Sequence, residues 1–153
     1  MNRPAFEPTL KGRALRLLSQ REHSRLELER KLAEHETEPG QLAKALDELQ
    51  ARGFISEERV IESVIHRRAA KLGTARVRQE LAAKGLGGEA VAQALEQLRG
   101  TELERAREVW RRKFGEPATD PKEKARQIRF LVSRGFAAEV VRRVVQGAQD
   151  DAF

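Results

Sequence analysis

The sequence has no cysteine and no tyrosine, and only one tryptophan and five prolines among its 153 residues. Without cysteine, the chain has neither a disulfide framework nor a metal site built on thiolates. Aromatic residues make up 5% of the chain, and no segment alternates apolar and polar residues as a half-buried strand does. No apolar run is long enough to cross a bilayer, and no signal segment opens the chain. These absences predict an all-α protein, and we expect it to be soluble and cytoplasmic with no membrane partner.

The sequence is rich in charged residues. Charged residues make up 35% of the chain, and 30 lysines and arginines against 24 aspartates and glutamates leave a net charge of +6. A basic surplus favours a polyanion or an acidic protein surface as the partner.

The sequence contains residues that often occur in active sites, but they do not form a catalytic motif. The stretch GLGG (85–88) lacks the Lys-Ser/Thr of a phosphate-binding loop. The acidic pairs at 57–58 and 150–151 lie at a helix start and in the tail, outside any pocket that would shift a pKa. We interpret the three scattered histidines as solvated surface residues: His23, His35 and His66. We therefore predict no catalytic residue, no metal site and no cofactor.

A short pattern occurs three times: RGFISEERV (52–60), KGLGGEAV (84–91) and RGFAAEVV (134–141). In each copy a cation precedes glycine, a phenylalanine or leucine follows it, and glutamate stands four places after the glycine. Glycine readily takes the left-handed conformation that ends a helix, where a nearby cation is favoured. Glutamate is favoured in the first turn of the next helix. Each copy therefore predicts a helix, a tight turn and a second helix, and Gly85 and Gly135 occupy equivalent positions.

Apolar residues recur at spacings of three and four along the chain, which predicts nine short helices. Glycines near 53, 100 and 147 close successive sets of three helices, a period of about 47 residues that is typical of helical repeat arrays. Each set has too few apolar residues to bury its faces alone, so neighbouring sets are expected to pack together. The predicted segments are a flexible leader (1–9), repeat 1 (10–54), repeat 2 (55–100), repeat 3 (101–147) and a frayed tail (148–153).

Several helix ends are predicted from capping residues. Ser24 is a predicted N-cap, and Asp120 followed by proline predicts the start of the eighth helix. Pro39 is predicted to begin the third helix, because a missing N–H costs nothing at that position. The fourth helix is predicted to run to about Leu72, and Thr74 is predicted to cap the fifth.

Two groups of basic residues are candidates for a binding surface. The first lies within residues 63–79, which contain no acid, and the second surrounds Phe114. Each is either a solvated face or a contact with phosphates or an acidic protein, whose affinity would depend on salt. No helix carries side chains placed to recognise base edges, so any nucleic-acid contact is expected to lack sequence preference. The first cluster is Arg67, Arg68, Lys71, Arg76 and Arg78; the second is Arg111, Arg112, Lys113, Lys122, Lys124, Arg126 and Arg129.

The stretch RGFISEERVIESVIHRRAAKLGTARVRQELAAKGL (52–86) closely resembles the central module of the RecX family, bacterial regulators of the RecA recombinase. The stretches REVWRRKFG (107–115) and KEKARQIRFLVSRGF (122–136) resemble the third module of that family. The similarity covers roughly residues 12–147, and its first module is weakly diagnostic. One departure is the Glu57–Glu58 pair, where the family usually has aspartate; either acid suits a helix N-terminus.

This resemblance implies three tandem three-helix repeats in an elongated, curved array. It also implies a non-enzymatic protein that binds the filament of RecA on single-stranded DNA and modulates it, mainly by inhibiting strand exchange and ATP hydrolysis. We expect a monomer that contacts the filament and, in one form of this hypothesis, the single-stranded DNA directly. The family does not supply the contact residues, so the two basic clusters are inferred from charge.

The alternative hypothesis is a helical protein that binds nucleic acid without sequence preference. It depends on the basic surplus and the two clusters rather than on the family resemblance. A plain DNA binder needs only DNA, whereas a filament regulator binds recombinase-coated DNA far better than bare DNA.

Overall fold

The structure is a computed structural model that describes residues 8–150, with side chains as far as residue 148. The predicted leader and tail therefore fall largely outside the described residues. Within them the chain forms nine α-helices and one short 3-10 helix (Ala33–His35), without a strand, which confirms the predicted all-α class. The α-helices are α1 (Leu10–Gln20), α2 (Arg25–Leu32), α3 (Gln41–Ala51), α4 (Glu57–Arg68), α5 (Thr74–Ala83), α6 (Gly88–Gly100), α7 (Glu102–Lys113), α8 (Pro121–Ser133) and α9 (Ala138–Asp150). None of these described helices is both long enough and apolar enough to cross a bilayer.

Two of the predicted helix starts are formed by the expected caps. The Ser24 hydroxyl accepts the backbone N–H of Glu27 at 3.2 Å, and the Glu27 carboxylate accepts the N–H of Ser24 at 3.1 Å. This reciprocal capping box satisfies two donors that a helix start leaves open. At α8 the Asp120 carboxylate accepts the N–H of Glu123 at 2.7 Å, with Pro121 as the first helical residue.

Three other predicted boundaries are wrong. The third helix begins at Gln41 rather than Pro39, because Gly40 takes a left-handed φ of 84° and turns the chain before the helix starts. The fourth helix ends at Arg68, whose carbonyl accepts the N–H of Leu72 at 2.8 Å in a closing turn. Thr74 is the first residue of α5, and its N–H is capped from outside by the Glu102 carboxylate at 2.7 Å.

The three recurring glycines end helices as predicted. Their φ angles are 81° at Gly53, 77° at Gly85 and 92° at Gly135, all in the left-handed region. After α8, the N–H of Phe136 reaches back to the Leu131 carbonyl at 3.3 Å, as in a Schellman motif. Gly85 lies between α5 and α6 and Gly135 between α8 and α9, so the two positions are equivalent in the fold.

The chain divides into two compact units. The first comprises the chain up to Val60 together with Lys84–Leu86, and the second comprises Ile61–Ala83 and the chain from Gly87 onward. The boundaries of the three repeats, taken from the sequence period, stay a prediction.

The core of the first unit is aliphatic. Leu28, Leu46 and Leu49 have no exposed surface, and burying each such side chain contributes about 1.5–3 kcal/mol to folding. The buried members of this core are Leu10, Ala14, Leu28, Leu32, Leu42, Leu46, Leu49 and Ile55.

His23 is buried in the same unit, so the prediction that it is a solvated surface residue is wrong. The side chain is 1% exposed, with Nδ1 3.0 Å from the Arg21 carbonyl oxygen and Nε2 3.2 Å from Nζ of Lys31. Burial lowers the pKa of His23, so the ring is neutral, donates from Nδ1 and accepts at Nε2. A local pattern does not reveal this role, because the loop between α1 and α2 buries the ring only once both helices pack.

The core of the second unit contains the single tryptophan. Trp110 packs with valines of α9, and its indole N–H donates to Oε1 of the buried Gln127 at 3.0 Å. The Gln127 amide in turn donates to the Glu116 carbonyl at 3.1 Å, so the buried polar groups of this pair are satisfied. The core of α7, α8 and α9 comprises Ala106, Val109, Trp110, Leu131, Phe136, Val141, Val144 and Val145.

Candidate functional site

A groove with a volume of about 780 Å³ opens on the surface of the second unit. Its lining includes the apolar side chains of Leu72, Val109 and Phe130. Six cations and one carboxylate, that of Glu80, also line it. We call it the basic groove and define it by those six cations: Arg68, Lys71, Arg76, Arg112, Lys113 and Arg134.

The cations reach the groove because helix C-termini meet there. Arg68 is the last residue of α4, Lys113 is the last residue of α7, and Arg134 is the C-cap residue of α8. A helix C-terminus carries partial negative charge, which stabilises nearby cations by about 0.3–1 kcal/mol each. The same positions that suit cations for helix stability therefore concentrate positive charge in one groove.

Ion pairs and hydrogen bonds hold part of the groove wall. Arg68 donates from Nε to the Glu80 carboxylate at 2.9 Å, and Arg76 donates from Nη1 to the Ser133 carbonyl at 2.7 Å. An exposed pair of this kind contributes at most about 1 kcal/mol. Glu80 neutralises one positive charge, so the groove keeps a clear positive surplus.

Phe130 is the aromatic residue of the groove, and it is half-buried. The guanidinium carbon of Arg134 lies 4.7 Å from its ring centroid, and Nζ of Lys113 lies 5.1 Å from it. Phe114 packs edge-on against the same ring, with the centroids 5.5 Å apart. Both cations are within the range of cation–π attraction. The Phe130 ring therefore helps to hold the side chains of Arg134 and Lys113 in place.

The structure divides the second predicted cluster. Arg112 and Lys113 line the basic groove. Lys113 also lines a separate depression of about 420 Å³, together with Lys122, Arg126 and Arg129. Three acids line that depression as well: Glu116, Asp120 and Glu123. Four cations against three acids leave little net charge, so this depression attracts a polyanion much less than the basic groove does.

The other predicted site residues lie outside both surfaces. Arg111 pairs with Glu108 at 3.1 Å, Lys124 donates to Gln146 at 3.4 Å, and Arg67 lies 3.6 Å from Glu80. Arg78 is exposed on α5. Whether any residue of either cluster contacts a partner stays a prediction.

Sequence reasoning missed Phe130 and Arg134 as members of the site. The sequence predicts Arg134 only as the cation of a helix end and gives Phe130 no role. Their proximity to Lys71 and Arg76 arises only when α8 packs against the start of α5. No spacing in the sequence indicates it.

Two polar residues of α7, Glu102 and Arg105, bind the ends of neighbouring helices. The buried Glu102 carboxylate accepts the N–H of Thr74 at 2.7 Å and the N–H of Ala137 at 3.4 Å. It therefore satisfies open donors at the starts of α5 and α9.

Arg105 satisfies open acceptors at the ends of α4 and α6. Its guanidinium donates to the carbonyls of Leu72 at 2.6 Å, Ala69 at 3.0 Å and Leu98 at 2.9 Å. Burial lowers the pKa of Arg105, and the neighbouring Glu102 opposes that shift. These bonds hold in place the turn that carries Lys71.

Glycine allows the start of α5 to approach the end of α8. The Gly73 N–H donates to the Arg134 carbonyl at 2.8 Å, and a Cβ atom at Gly73 would overlap the Gly135 carbonyl group. The equivalent turn in the first unit packs on α2, where a Cβ at Gly85 would lie 2.8 Å from Leu26. The recurring glycine turn therefore packs on the start of a preceding helix in both units.

Glu27 helps to hold the turn at Gly85 against the start of α2 in the first unit. Its carboxylate accepts from Arg21 at 2.7 Å and from Lys84 at 3.1 Å, in addition to the Ser24 N–H. Burial alone would raise the pKa of Glu27, but these three donors outweigh it and lower the pKa to about 2. Because the folded-state value is depressed, the charge stabilises the fold above the unfolded value and loses that effect as pH falls toward 2.

We expect the wild type to lose more stability in acid than Glu27→Gln does. When the pH is lowered from about 7 to about 3, the free energy of unfolding of the wild type should fall by about 2 kcal/mol more than that of the variant. This difference follows from the difference between the folded and unfolded pKa values of Glu27. Urea unfolding at the two pH values, followed by circular dichroism, measures it. Glu48→Gln is the control: the ion pair with Lys11 at 2.7 Å lowers the pKa of Glu48 too, but this carboxylate is exposed, so solvent screens the pair and its loss should change the acid sensitivity much less. If Glu27→Gln and the wild type lose the same stability between the two pH values, the charge of Glu27 does not stabilise the fold.

Comparison with known proteins gives the same architecture. Three family models match in order: the first three-helix domain of RecX at residues 11–49, the second at 56–95 and the third at 101–145. The chain is 56% identical over 150 residues to the regulatory protein RecX of Leptothrix cholodnii, covering 98% of this chain and 94% of that protein. It is 49% identical to the regulatory protein RecX of Ralstonia nicotianae, covering 92% of this chain and 88% of that protein.

Solved structures agree at the level of the fold. The crystal structure of RecX from Lactobacillus salivarius matches with a TM-score of 0.72 at 17% identity, covering 92% of this chain and 94% of that one. A second crystal structure of a regulatory protein RecX also matches with a TM-score of 0.72, at 22% identity over 88% of this chain and 70% of that one. With three domain models in order and relatives at about half identity over nearly the whole length, the chain belongs to the RecX family of regulatory proteins.

Proposed function

We propose that this protein is a non-enzymatic regulator that binds the filament of RecA on single-stranded DNA. It modulates the filament mainly by inhibiting ATP hydrolysis and strand exchange, and it acts in the cytoplasm as a monomer. The observation that carries this proposal is the match to all three domains of a family whose relatives are named regulatory proteins.

A row of tandem modules suits a polymeric partner. Contacts made by linked modules reinforce one another, because the first contact raises the effective concentration of the next. A filament offers repeated protomers at a fixed spacing, whereas a free subunit offers one. The three domains in series therefore support preference for the filament over the free recombinase.

The basic groove supports an anionic partner. Six cations against one carboxylate create a local field that attracts phosphates or acidic side chains. The same groove favours the second candidate function, a protein that binds nucleic acid without sequence preference. The two functions differ in stoichiometry, because masking of DNA requires enough protein to coat it.

Titration of the protein into a RecA ATPase reaction on single-stranded DNA tests the proposal. We expect inhibition well below one copy per recombinase protomer, because one bound copy affects a filament rather than a subunit. Inhibition only at coating amounts, relieved by added bare DNA, would replace this proposal with the nucleic-acid binder.

A further inference from the structure

A second basic pocket, with a volume of about 260 Å³, lies in the first unit and is lined by α1, the end of α2 and the 3-10 helix. Its lining includes the apolar residues Pro8, Leu17 and Leu32. Within the part of the chain that the structure describes, no carboxylate lines it. We call it the α1 pocket and define it by its four basic residues: Arg13, Arg16, Lys31 and His35.

The two arginines of the α1 pocket take no part in the ion pairs of the first unit. Elsewhere in that unit, Arg21, Arg25 and Arg59 each lie within 2.8 Å of a carboxylate oxygen. The side chains of Arg13 and Arg16 have no ion pair or hydrogen bond with any residue that the structure describes. Their positive charges are therefore available to a partner.

Lys31 adds a third positive charge that the fold does not neutralise. Its Nζ lies 3.2 Å from Nε2 of the buried His23, and burial lowers the pKa of that histidine. A neutral ring accepts a hydrogen bond without cancelling charge, so Lys31 is held in place and keeps its full charge. Three cations without an acid in the lining attract an anionic group.

The size and lining of the α1 pocket favour carboxylates over nucleic acid. Among the described residues, neither phenylalanine nor tryptophan lines it, so a base has no such ring on which to stack. A volume of about 260 Å³ is below the usual range of a small-molecule site, so the pocket admits one or two side chains rather than a nucleotide. Guanidinium groups bind carboxylates through paired hydrogen bonds, and the apolar lining suits a neighbouring aliphatic side chain.

We propose that the α1 pocket binds an acidic segment of a partner protein, with carboxylates of that segment on Arg13, Arg16 and Lys31. An aliphatic side chain of the same segment packs against Leu17 and Leu32. This site is separate from the basic groove and goes beyond the proposed function, because the binding requires neither recombinase nor DNA.

Nuclear magnetic resonance of the full-length, nitrogen-15-labelled protein at low salt tests the proposal. The probe is a capped pentapeptide with four glutamates around a central leucine. We expect the backbone amide signals of residues that line the α1 pocket to shift as the peptide is added. The reporter amides are Gly12, Leu17, Gln20 and Leu32.

Variants of the two arginines measure their contribution to peptide affinity. Arg13→Gln with Arg16→Gln should weaken peptide binding about tenfold, because two charge-assisted contacts are lost. Arg16→Gln alone, at an exposed position, should weaken it about threefold, and an unchanged melting temperature excludes unfolding as the cause. The matched control is Arg142→Gln with Arg143→Gln on α9, which removes the same charge from exposed positions outside the pocket and should leave the affinity unchanged.

A second peptide tests the apolar part of the site. Replacing the central leucine of the probe by serine removes the side chain that would be buried against the lining and leaves all four carboxylates in place. We expect affinity about threefold weaker, from the lost apolar burial. Equal affinity of the two peptides would reduce the site to surface charge attraction and contradict the proposed packing.

The chain itself supplies a competing occupant. Glu7, which lies outside the described residues, directly precedes Pro8 at the edge of the pocket. Glu7→Gln should leave peptide affinity unchanged. A tenfold gain in that variant would show that the leader of the chain fills the pocket, and would overturn the proposal.

Other results would also overturn it. These are no peptide binding by the wild type at low salt, shifts confined to amides outside the α1 pocket, and equal losses in the arginine variants and the α9 control. An oligothymidylate that shifts the same amides at a lower concentration per charge would assign the pocket to nucleic-acid phosphates. Inorganic phosphate acting as strongly as the peptide would assign it to small anions.

The recombinase ATPase titration distinguishes failure of this proposal from failure of the proposed function. If the peptide binds at the α1 pocket while the wild type does not inhibit the recombinase, the site holds and the function fails. If the wild type inhibits and the peptide does not bind, the function holds and the site fails.

Discussion

Gly73→Ala is expected to destabilise the second unit by about 3 kcal/mol or more, through overpacking and loss of a buried hydrogen bond. The added methyl group would overlap the carbonyl group of Gly135, which is backbone and has no other rotamer to adopt. Relief requires the start of α5 to move away from the end of α8. That movement also breaks the bond of 2.8 Å from the Gly73 N–H to the Arg134 carbonyl.

Urea unfolding followed by tryptophan fluorescence measures this effect, because the single tryptophan, Trp110, lies in the core of the second unit. Gly147→Ala is the matched control, since a Cβ there meets nothing within 4 Å in helix α9. We expect the control to be neutral or stabilising by up to about 1 kcal/mol, as alanine is the better helix former. A Gly73→Ala protein as stable as the wild type would show that the two turns are not packed against each other.

Arg105→Met should cost about 2–4 kcal/mol, because it removes a donor from partly buried backbone carbonyls at the ends of two helices. Methionine keeps much of the side-chain length but donates no hydrogen bond, so the carbonyls of Leu72 and Ala69 lose the Arg105 donor. The Leu98 carbonyl loses it as well but keeps the N–H and the hydroxyl of Thr101. Glu102 also loses a favourable charge interaction with Arg105. Each buried acceptor left unpaired adds about 1–3 kcal/mol to the cost where water cannot reach it.

Arg107→Met is the control for this change. Arg107 lies in the same helix, but its side chain is 41% exposed and pairs only with Glu104. Its loss should change stability by about 0.5 kcal/mol or less. Thermal unfolding of the two variants side by side measures the difference, and equal melting temperatures would mean that Arg105 does not hold the helix ends together.

The sequence predicts the features of this fold that local physics determines. The spacing of Leu42, Leu46 and Leu49 predicts α3, because three and four residues are one turn of a helix. The recurring glycines predict helix ends, because their φ angles near 80–90° are strained for other residues. Ser24 predicts a helix start through a hydrogen bond that spans only three residues.

The remaining features depend on contacts between distant parts of the chain. Glu102 caps Thr74 from 28 positions away, and a charged residue at a helix start is ordinarily a solvated one. Gly73 is required because Gly135 approaches it, not because of its own φ. The basic groove depends on the same approach, since it joins Lys71 and Arg76 to Arg134. Single-sequence patterns therefore predict five of the six groove cations but neither Arg134 nor Phe130 beside them.

The most direct measurement of the central claim compares binding of the labelled protein to RecA-coated and to bare single-stranded DNA. Both are measured at the same salt concentration and the same DNA concentration, with a nonhydrolysable nucleotide holding the filament. The account predicts much tighter binding to the coated strand than to the bare strand. Equal affinity for the two, or tighter binding to the bare strand, would contradict a filament regulator and leave a general nucleic-acid binder.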